Sequence, residues 1–246
     1  MKVANEFNPL STAVPESTRV GSGEATVDVG LRSYMLSVYN YMASGVLLTG
    51  IVALLFVNSG YATAVLSGPG ILKYVIMFAP LAFVMVLSFG ITRLSTGAAQ
   101  MLFWGFATVM GFSMASIFIV FTGTSIASTF FATAAAFAGL SLWGYTTKRD
   151  LSGFGTFLIM GVVGLLVASI INLFLQSSAM QLAISFIGVL LFAGLTAYDT
   201  QRIKSLYSQV AGTDMMGKTV IMGALSLYLD FVNMFTFLLQ FMGQRR

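Results

Sequence analysis

Residues 219–242 read TVIMGALSLYLDFVNMFTFLLQFM, an apolar stretch long enough to cross a lipid bilayer as a single helix. The one acidic or basic residue in this stretch is Asp230, which lies about 16 Å from either end at 1.5 Å of rise per residue. Ser226 and Asn233 fall four residues before it and three residues after it, on the same helical face. A polar stripe on an otherwise apolar helix indicates a helix inside a bundle, shielded from lipid.

The composition of the whole chain is that of a membrane protein. Of its 246 residues, 57% are hydrophobic and only 8% are charged, against about 25% charged residues in an ordinary soluble domain. Histidine and cysteine are absent, which excludes disulfides, cysteine nucleophiles and metal sites built from these residues. The lysines and arginines lie between apolar stretches and form no basic cluster, so nucleic acid is not a predicted partner.

Seven stretches of the chain each approach the roughly 20 apolar residues that a transmembrane helix requires. The sequence therefore predicts an all-α, polytopic membrane protein with seven transmembrane helices, the last of them central. The polar segment 1–30, with Pro9 and Pro15, predicts a disordered cytoplasmic tail ahead of a transmembrane domain over 31–246. The predicted spans are Tyr34–Asn58, Ile71–Thr92, Ala99–Phe121, Ser125–Tyr145, Gly153–Leu175, Ala179–Tyr198 and Thr219–Met242.

The distribution of basic residues predicts the orientation in the membrane. Most lysines and arginines lie in the tail and in the even-numbered loops, whereas the odd-numbered loops carry only Lys73. Cytoplasmic loops are enriched in these residues, so the N-terminus is expected in the cytoplasm. Seven spans then place Arg245 and Arg246 outside, against the rule, unless the number of spans is wrong or the seventh stretch enters the membrane and returns.

Two further ionisable residues lie at the edges of predicted spans. Asp199 is at the cytoplasmic end of the sixth span and Arg93 ends the second, so a salt bridge between them is geometrically allowed. Asp199 could instead pair with Arg202 or Lys204 along its own helix, and Arg93 could be an interfacial anchor. For Asp230 the alternative is a protonated or hydrogen-bonded side chain that fixes helix packing.

The residues around both aspartates form recognisable motifs. Residues 197–203 read AYDTQRI and residues 227–235 read LYLDFVNMF. They resemble the Tyr/Phe-Asp-Thr-Gln-x-Ile and Leu-Tyr-Leu-Asp-Phe-Ile-Asn-Leu-Phe signatures of the bacterial branch of the transmembrane Bax inhibitor motif family. The start of the first span, residues 31–35, is also similar, and the resemblance covers the chain from about Leu31 onward.

This resemblance implies a seven-helix bundle in the bacterial inner membrane and a pH-sensitive calcium leak. It implies that Asp199 and Asp230 share a proton as the pH sensor, line the ion path and are candidate calcium ligands, and that Arg93 latches Asp199. Calcium would be the transported ion, and no cofactor is implied. One departure is that relatives can carry an acidic residue in the second span, whereas Ile71–Thr92 has none.

The chemistry of a carboxyl pair is consistent with such a role. Two carboxyl groups close together in a low-dielectric interior cannot both ionise cheaply, so they can hold a proton near neutral pH without histidine. When ionised, they offer the hard oxygen ligands that calcium favours, with Ser226 and Asn233 as a supporting polar face. The predicted spans place Asp199 near the surface and Asp230 near mid-bilayer, and the argument weakens beyond a separation of about 6 Å.

Two other functions remain open from the sequence. A regulatory membrane protein would act by contact, for example with a membrane-bound ATP-dependent protease, and the tail 1–30 could present a binding segment. An intramembrane aspartyl protease would carry a Gly-x-Gly-Asp signature, and neither 197–199 nor 228–230 contains these glycines. The chain is therefore not predicted to be an enzyme.

Overall fold

A computed structural model of the protein describes the backbone of residues 17–246 and the side chains of residues 29–246. Within these residues the fold is built from helices joined by short connections. In chain order they are α1 Ser17–Asn58, α2 Tyr61–Ser67, α3 Leu72–Gly90, α4 Thr96–Val120, α5 Gly123–Thr146, α6 Ser152–Leu175, α7 Ser178–Val210 and α8 Met215–Met242.

Seven of these helices are long and apolar enough to cross a membrane, which confirms the predicted number of spans. The additional helix, α2, lies in the connection between the first two spans, and its 7 residues are too few to cross a bilayer. α1 begins at Ser17, so the segment predicted to be a disordered tail is helical over 17–30. This part of the chain contains no proline to interrupt the helix; residues 1–16 lie outside the described residues.

α8 is the central helix, as predicted. Within its most apolar window 67% of the residues are buried, against 11% in the corresponding window of α3. It packs against α1, α4, α5 and α7. The peripheral helices α6 and α3 contact the rest of the bundle mainly through α7 and α4, respectively. Large apolar side chains such as Phe89 on α3 and Phe174 on α6 point away from the bundle, as expected for a surface that lipid covers.

α7 differs most from the prediction, which ended the sixth span at Tyr198. The helix continues to Val210 because polar residues end an apolar stretch without ending a helix. It stops where a helix-terminating residue is available, at Gly212 with its left-handed φ of 74°. Asp199 therefore lies well inside α7, whereas the predicted span ended just before it.

The connections gather at two ends of the bundle. The α3–α4, α5–α6 and α7–α8 connections lie at the end that we call the basic end, which carries Arg93, Lys148 and Lys218. At the opposite end the backbone N–H of Arg246 donates to Val120 O at 3.0 Å, and that of Thr122 donates to Gln244 O at 3.0 Å. α8 thus crosses the bundle completely, so the alternative of a seventh stretch that enters and returns is not observed.

Small residues allow close helix crossings at selected positions. Gly144 of α5 lies against the backbone of Ala197 of α7, with no room for a Cβ atom, and Gly111 of α4 lies against Thr49 and Val52 of α1. By contrast, a Cβ atom at Gly164 would meet nothing within 4 Å. The Gly144–Ala197 crossing fixes α7 two residues before Asp199.

Candidate functional site: the α7–α8 hairpin

The positions of the two aspartates follow from the register of the antiparallel α7–α8 hairpin. The side chain of Ile203 packs over Gly223 near the basic end, and Phe237 packs over Gly188 further along. These two contacts place Asp199 opposite residue 227, about one helical turn from Asp230. The extension of α7 beyond Tyr198 removes the difference in depth that the shorter predicted span implied.

The structure brings the side chains of Asp199 and Asp230 within hydrogen-bonding distance of each other. Asp230 is 4% exposed, and the side chain of Asp199 is 14% exposed. A hydrogen bond between two carboxyl groups requires a proton on one of them. Oδ2 of Asp230 is buried and has no hydrogen-bond partner among the described residues.

The cation nearest to the pair is Arg202, one turn further along α7. Its Nη1 lies 3.9 Å from Oδ1 of Asp199, and its side chain is 59% exposed. At this distance and exposure the ion pair contributes little to stability. Asp199 thus pairs with Arg202 of its own helix, which was one of the alternatives to pairing with Arg93.

Arg93 does not contact Asp199 in this conformation. Among the described residues, the ion pair with Arg202 is the only one within 4.0 Å. Arg93 is exposed in the α3–α4 connection, and the neighbouring carbonyl of Thr92 accepts a hydrogen bond from Lys218 Nζ at 3.4 Å. Lys218 lies about 14 Å before residue 227 of α8, the residue opposite Asp199. Asp199 is therefore deeper than Arg93, and no Arg93–Asp199 salt bridge forms in this conformation.

The predicted supporting residues lie on α8 but do not complete a ligand set. The side-chain amide of Asn233 donates to Leu229 O of its own helix at 2.8 Å, and Ser226 is half-buried. Nor do the described residues contain three or more acidic, histidine or cysteine side chains close enough together to hold a metal ion. Calcium takes 6–8 oxygen ligands, so an ion held by Asp199 and Asp230 would need water or backbone oxygens to complete its coordination.

Two hydroxyl networks near the pair were not predicted. The hydroxyl of Tyr228 lies 2.7 Å from Thr49 Oγ1. On the other side of the bundle, Ser141 Oγ lies 2.5 Å from the Tyr39 hydroxyl and 2.9 Å from Thr200 Oγ1. Hydroxyl residues within apolar spans are visible in the sequence. Their hydrogen-bond partners are not, because they lie on helices that are distant in the sequence.

A crevice of about 500 Å³ leads toward this region from the opposite end of the bundle. It begins beside Asn58 and Arg246 and reaches Thr49, the residue that is hydrogen-bonded to Tyr228. Phe231 and Phe235 of α8 line its inner side. The crevice is therefore predominantly apolar and approaches the level of α8 at which Asp230 lies.

Comparison with known proteins agrees with this architecture. Residues 31–246 match the family described as "Inhibitor of apoptosis-promoting Bax1". The chain belongs to this family. The match begins at Leu31 and therefore contains both aspartate motifs and all but the first two residues of the first membrane-spanning stretch, Val29–Asn58.

Relatives of this Bax1-inhibitor family member occur in several bacteria. The "Inner membrane protein YbhL" of Escherichia coli is 47% identical over 219 residues, which cover 88% of this chain and 94% of the relative. A protein of Rickettsia prowazekii, RP147, is 47% identical over 92% of this chain and 95% of its own length. A protein of Caulobacter vibrioides is 44% identical over 98% of this chain and 100% of its own length.

Proposed function

We propose that the protein is a pH-sensitive leak pathway for calcium in the bacterial inner membrane, with the basic end in the cytoplasm. The observation that carries this proposal is the contact between the Asp199 and Asp230 carboxyl groups across the central hairpin. Ionisable groups within a membrane bundle are costly and typically mark ion or proton pathways. The name of the Escherichia coli relative supports the inner membrane as the location.

In this mechanism the carboxyl pair reads pH through the number of protons it holds. A hydrogen bond between Asp199 and Asp230 corresponds to the proton-bound pair, and Arg93 lies away from it in the described conformation. Loss of the proton leaves a negative charge that attracts Arg93 from the α3–α4 connection and closes the pathway. Calcium flux should therefore increase as the pH falls, because protonation releases the latch.

The ion path would begin in the crevice at the end of the bundle opposite the basic end, and it would continue to the aspartate pair. Apolar constrictions can block ion passage by excluding water, and the phenylalanine side chains of α8 in the crevice supply such a region. We propose that movement of α8 relative to α7 wets this region. Oxygen atoms of Asp199 and Asp230 would then contact calcium together with water molecules.

Calcium uptake into proteoliposomes, measured between pH 8 and pH 6, tests this function. Wild-type protein should show flux that rises toward pH 6, and Asp199→Asn should show flux that no longer responds to pH. Asp150→Asn is the matched control, because Asp150 is exposed in the α5–α6 connection. Flux equal to that of protein-free liposomes at every pH, for wild type and Asp199→Asn alike, would contradict the proposal.

The control residue should remain ionised throughout this assay. Hydrogen bonds from the side chain and the backbone N–H of Ser152 hold the pKa of Asp150 below its ordinary value, and the backbone donor lies 2.9 Å from Oδ1. A group whose pKa is lowered is already deprotonated well below pH 6. If Asp150→Asn removed the pH response, this result would contradict the assignment of the sensor to the buried pair.

A further inference from the structure

A second crevice, separate from the one above, opens between α1 and α5 at the basic end. These two helices do not pack closely against each other, and the space between them is about 730 Å³. Its walls are mainly apolar, with Met35 and Leu36 on α1 and Phe137 and Leu142 on α5. Leu36 and Leu142 are 51% and 63% exposed, so the crevice opens sideways, toward the surrounding bilayer.

Positive charge is concentrated where this crevice meets the basic end. Arg32 of α1 lines the crevice on one side and Tyr145 of α5 on the other. Lys204 of α7 donates a hydrogen bond to Tyr145 O at 2.8 Å, and its Nζ lies 4.7 Å from the centre of the Tyr145 ring. Two cations from different helices therefore lie near this end: Arg32 lines the crevice itself, and Lys204 contacts Tyr145, which lines it.

The dimensions of the crevice match the upper part of a phospholipid. Arg32 and Tyr39 are separated by about 10 Å along α1, and both line the crevice. At the deep end the Tyr39 hydroxyl is hydrogen-bonded to Ser141. An acyl chain could therefore lie along the apolar walls while a phosphate group remains at the depth of Arg32.

We propose that this crevice binds an anionic phospholipid from the membrane leaflet at the basic end. The headgroup phosphate would lie between Arg32 and Lys204, and one acyl chain would lie between Leu36 and Leu142. Basic pockets between transmembrane helices favour anionic headgroups in this way. Leu36 and Leu142 expose this crevice to the bilayer, where lipid is the ligand at hand. The inference is independent of the proposed calcium leak.

Fluorescence quenching by brominated lipids tests this site in the intact protein. The two native tryptophans, Trp104 and Trp143, are replaced by phenylalanine, and a single tryptophan is introduced by Leu142→Trp at the rim of the crevice. The matched control is Phe157→Trp on α6, which is 65% exposed and lies at a similar depth from the basic end. Each variant is reconstituted in brominated phosphatidylglycerol or brominated phosphatidylcholine mixed with the unbrominated lipid.

The proposal predicts a preference for phosphatidylglycerol at position 142 and none at position 157. The attraction of one basic side chain near a membrane surface corresponds to about fivefold in relative binding. Arg32→Gln or Lys204→Gln should reduce the preference at position 142, with circular dichroism showing that the fold is retained. The quantity compared is the quenching by brominated phosphatidylglycerol divided by that by brominated phosphatidylcholine. If this ratio is equal at both positions, or if neither substitution changes it at position 142, the proposal is overturned and the crevice holds unselected lipid or another occupant.

Discussion

The hydroxyl of Tyr228 lies 2.7 Å from Thr49 Oγ1, and Thr49 in turn donates its hydroxyl proton to Ala107 O at 2.8 Å. The central helix α8 is thus joined to α1 and α4 by a buried chain of hydrogen bonds, two residues before Asp230. Since Thr49 uses its proton on Ala107, Tyr228 is the donor to Thr49. Loss of the Thr49 hydroxyl should therefore cost more stability than loss of the Tyr228 hydroxyl.

We expect Thr49→Val to destabilise the protein more than Tyr228→Phe. The valine leaves the buried Tyr228 hydroxyl without its acceptor, at a cost of about 1–3 kcal/mol, whereas the phenylalanine removes one hydrogen bond worth about 0.5–1.5 kcal/mol. Thermal unfolding in detergent measures both effects. Thr108→Val is the control, because its hydroxyl bonds only to Trp104 O within α4; equal losses for all three variants would contradict the network.

Substitution of Gly144 should be far more harmful than substitution of Gly164. A Cβ atom at Gly144 would overlap the backbone of Ala197, while one at Gly164 would meet nothing within 4 Å. Overpacking of this kind costs about 1–3 kcal/mol, so Gly144→Ala should lower the melting temperature. Gly164→Ala should be neutral or stabilising by up to about 1 kcal/mol through helix propensity. If both alanines behave alike in the same melt, α5 and α7 are not in this close contact.

The two aspartates should behave as one unit. If a single proton is shared, Asp199→Asn and Asp230→Asn should each abolish the pH response of calcium flux, and the double variant should be no worse than either single variant. Such non-additivity is expected for coupled titrating groups. The measurement is the ratio of flux at pH 6 to flux at pH 8. Additive reductions in this ratio would show that the two groups titrate independently.

Arg93→Ala tests the latch separately from the sensor. If the closed state contains an Arg93–Asp199 ion pair, this substitution should raise calcium flux at neutral pH, and Arg93→Lys should partly preserve closure. Lys73→Ala removes a cation near the start of α3, at the other end of the bundle, and should leave flux unchanged. Unaltered or reduced flux in Arg93→Ala would remove Arg93 from the mechanism while leaving the aspartate pair to be judged by its own variants.

The orientation can be measured directly because the chain has no cysteine. We expect a cysteine introduced by Lys148→Cys, at the basic end, to be protected from a membrane-impermeant thiol reagent in intact cells and labelled after lysis. A cysteine introduced by Ser59→Cys, in the α1–α2 connection, should be labelled in intact cells. Both positions are exposed, so accessibility reports the side of the membrane. The reverse pattern would place the N-terminus outside.

Much of the architecture could be predicted because membrane insertion depends on local composition. A run of about 20 apolar residues is sufficient to indicate a transmembrane helix, and the seven spans were found in this way. The polar stripe of Asp230, Ser226 and Asn233 also predicted that the last helix lies inside the bundle. Helix ends were harder to predict, as the continuation of α7 beyond Tyr198 shows, because a helix can leave the apolar zone without breaking its backbone hydrogen bonds.

The sequence by itself determined that the chain is a seven-span membrane bundle and that Asp199 and Asp230 are unusual within it, because the cost of placing polar groups in lipid acts residue by residue. Only the tertiary structure decided which groups meet: Asp199 with Asp230 and Arg202, Tyr228 with Thr49, and Arg32 with the crevice beside α5. These contacts depend on helix register and depth, which packing of side chains such as Ile203 over Gly223 fixes. For the same reason the structure separated Arg93 from Asp199, although both lie toward the same end of the bundle.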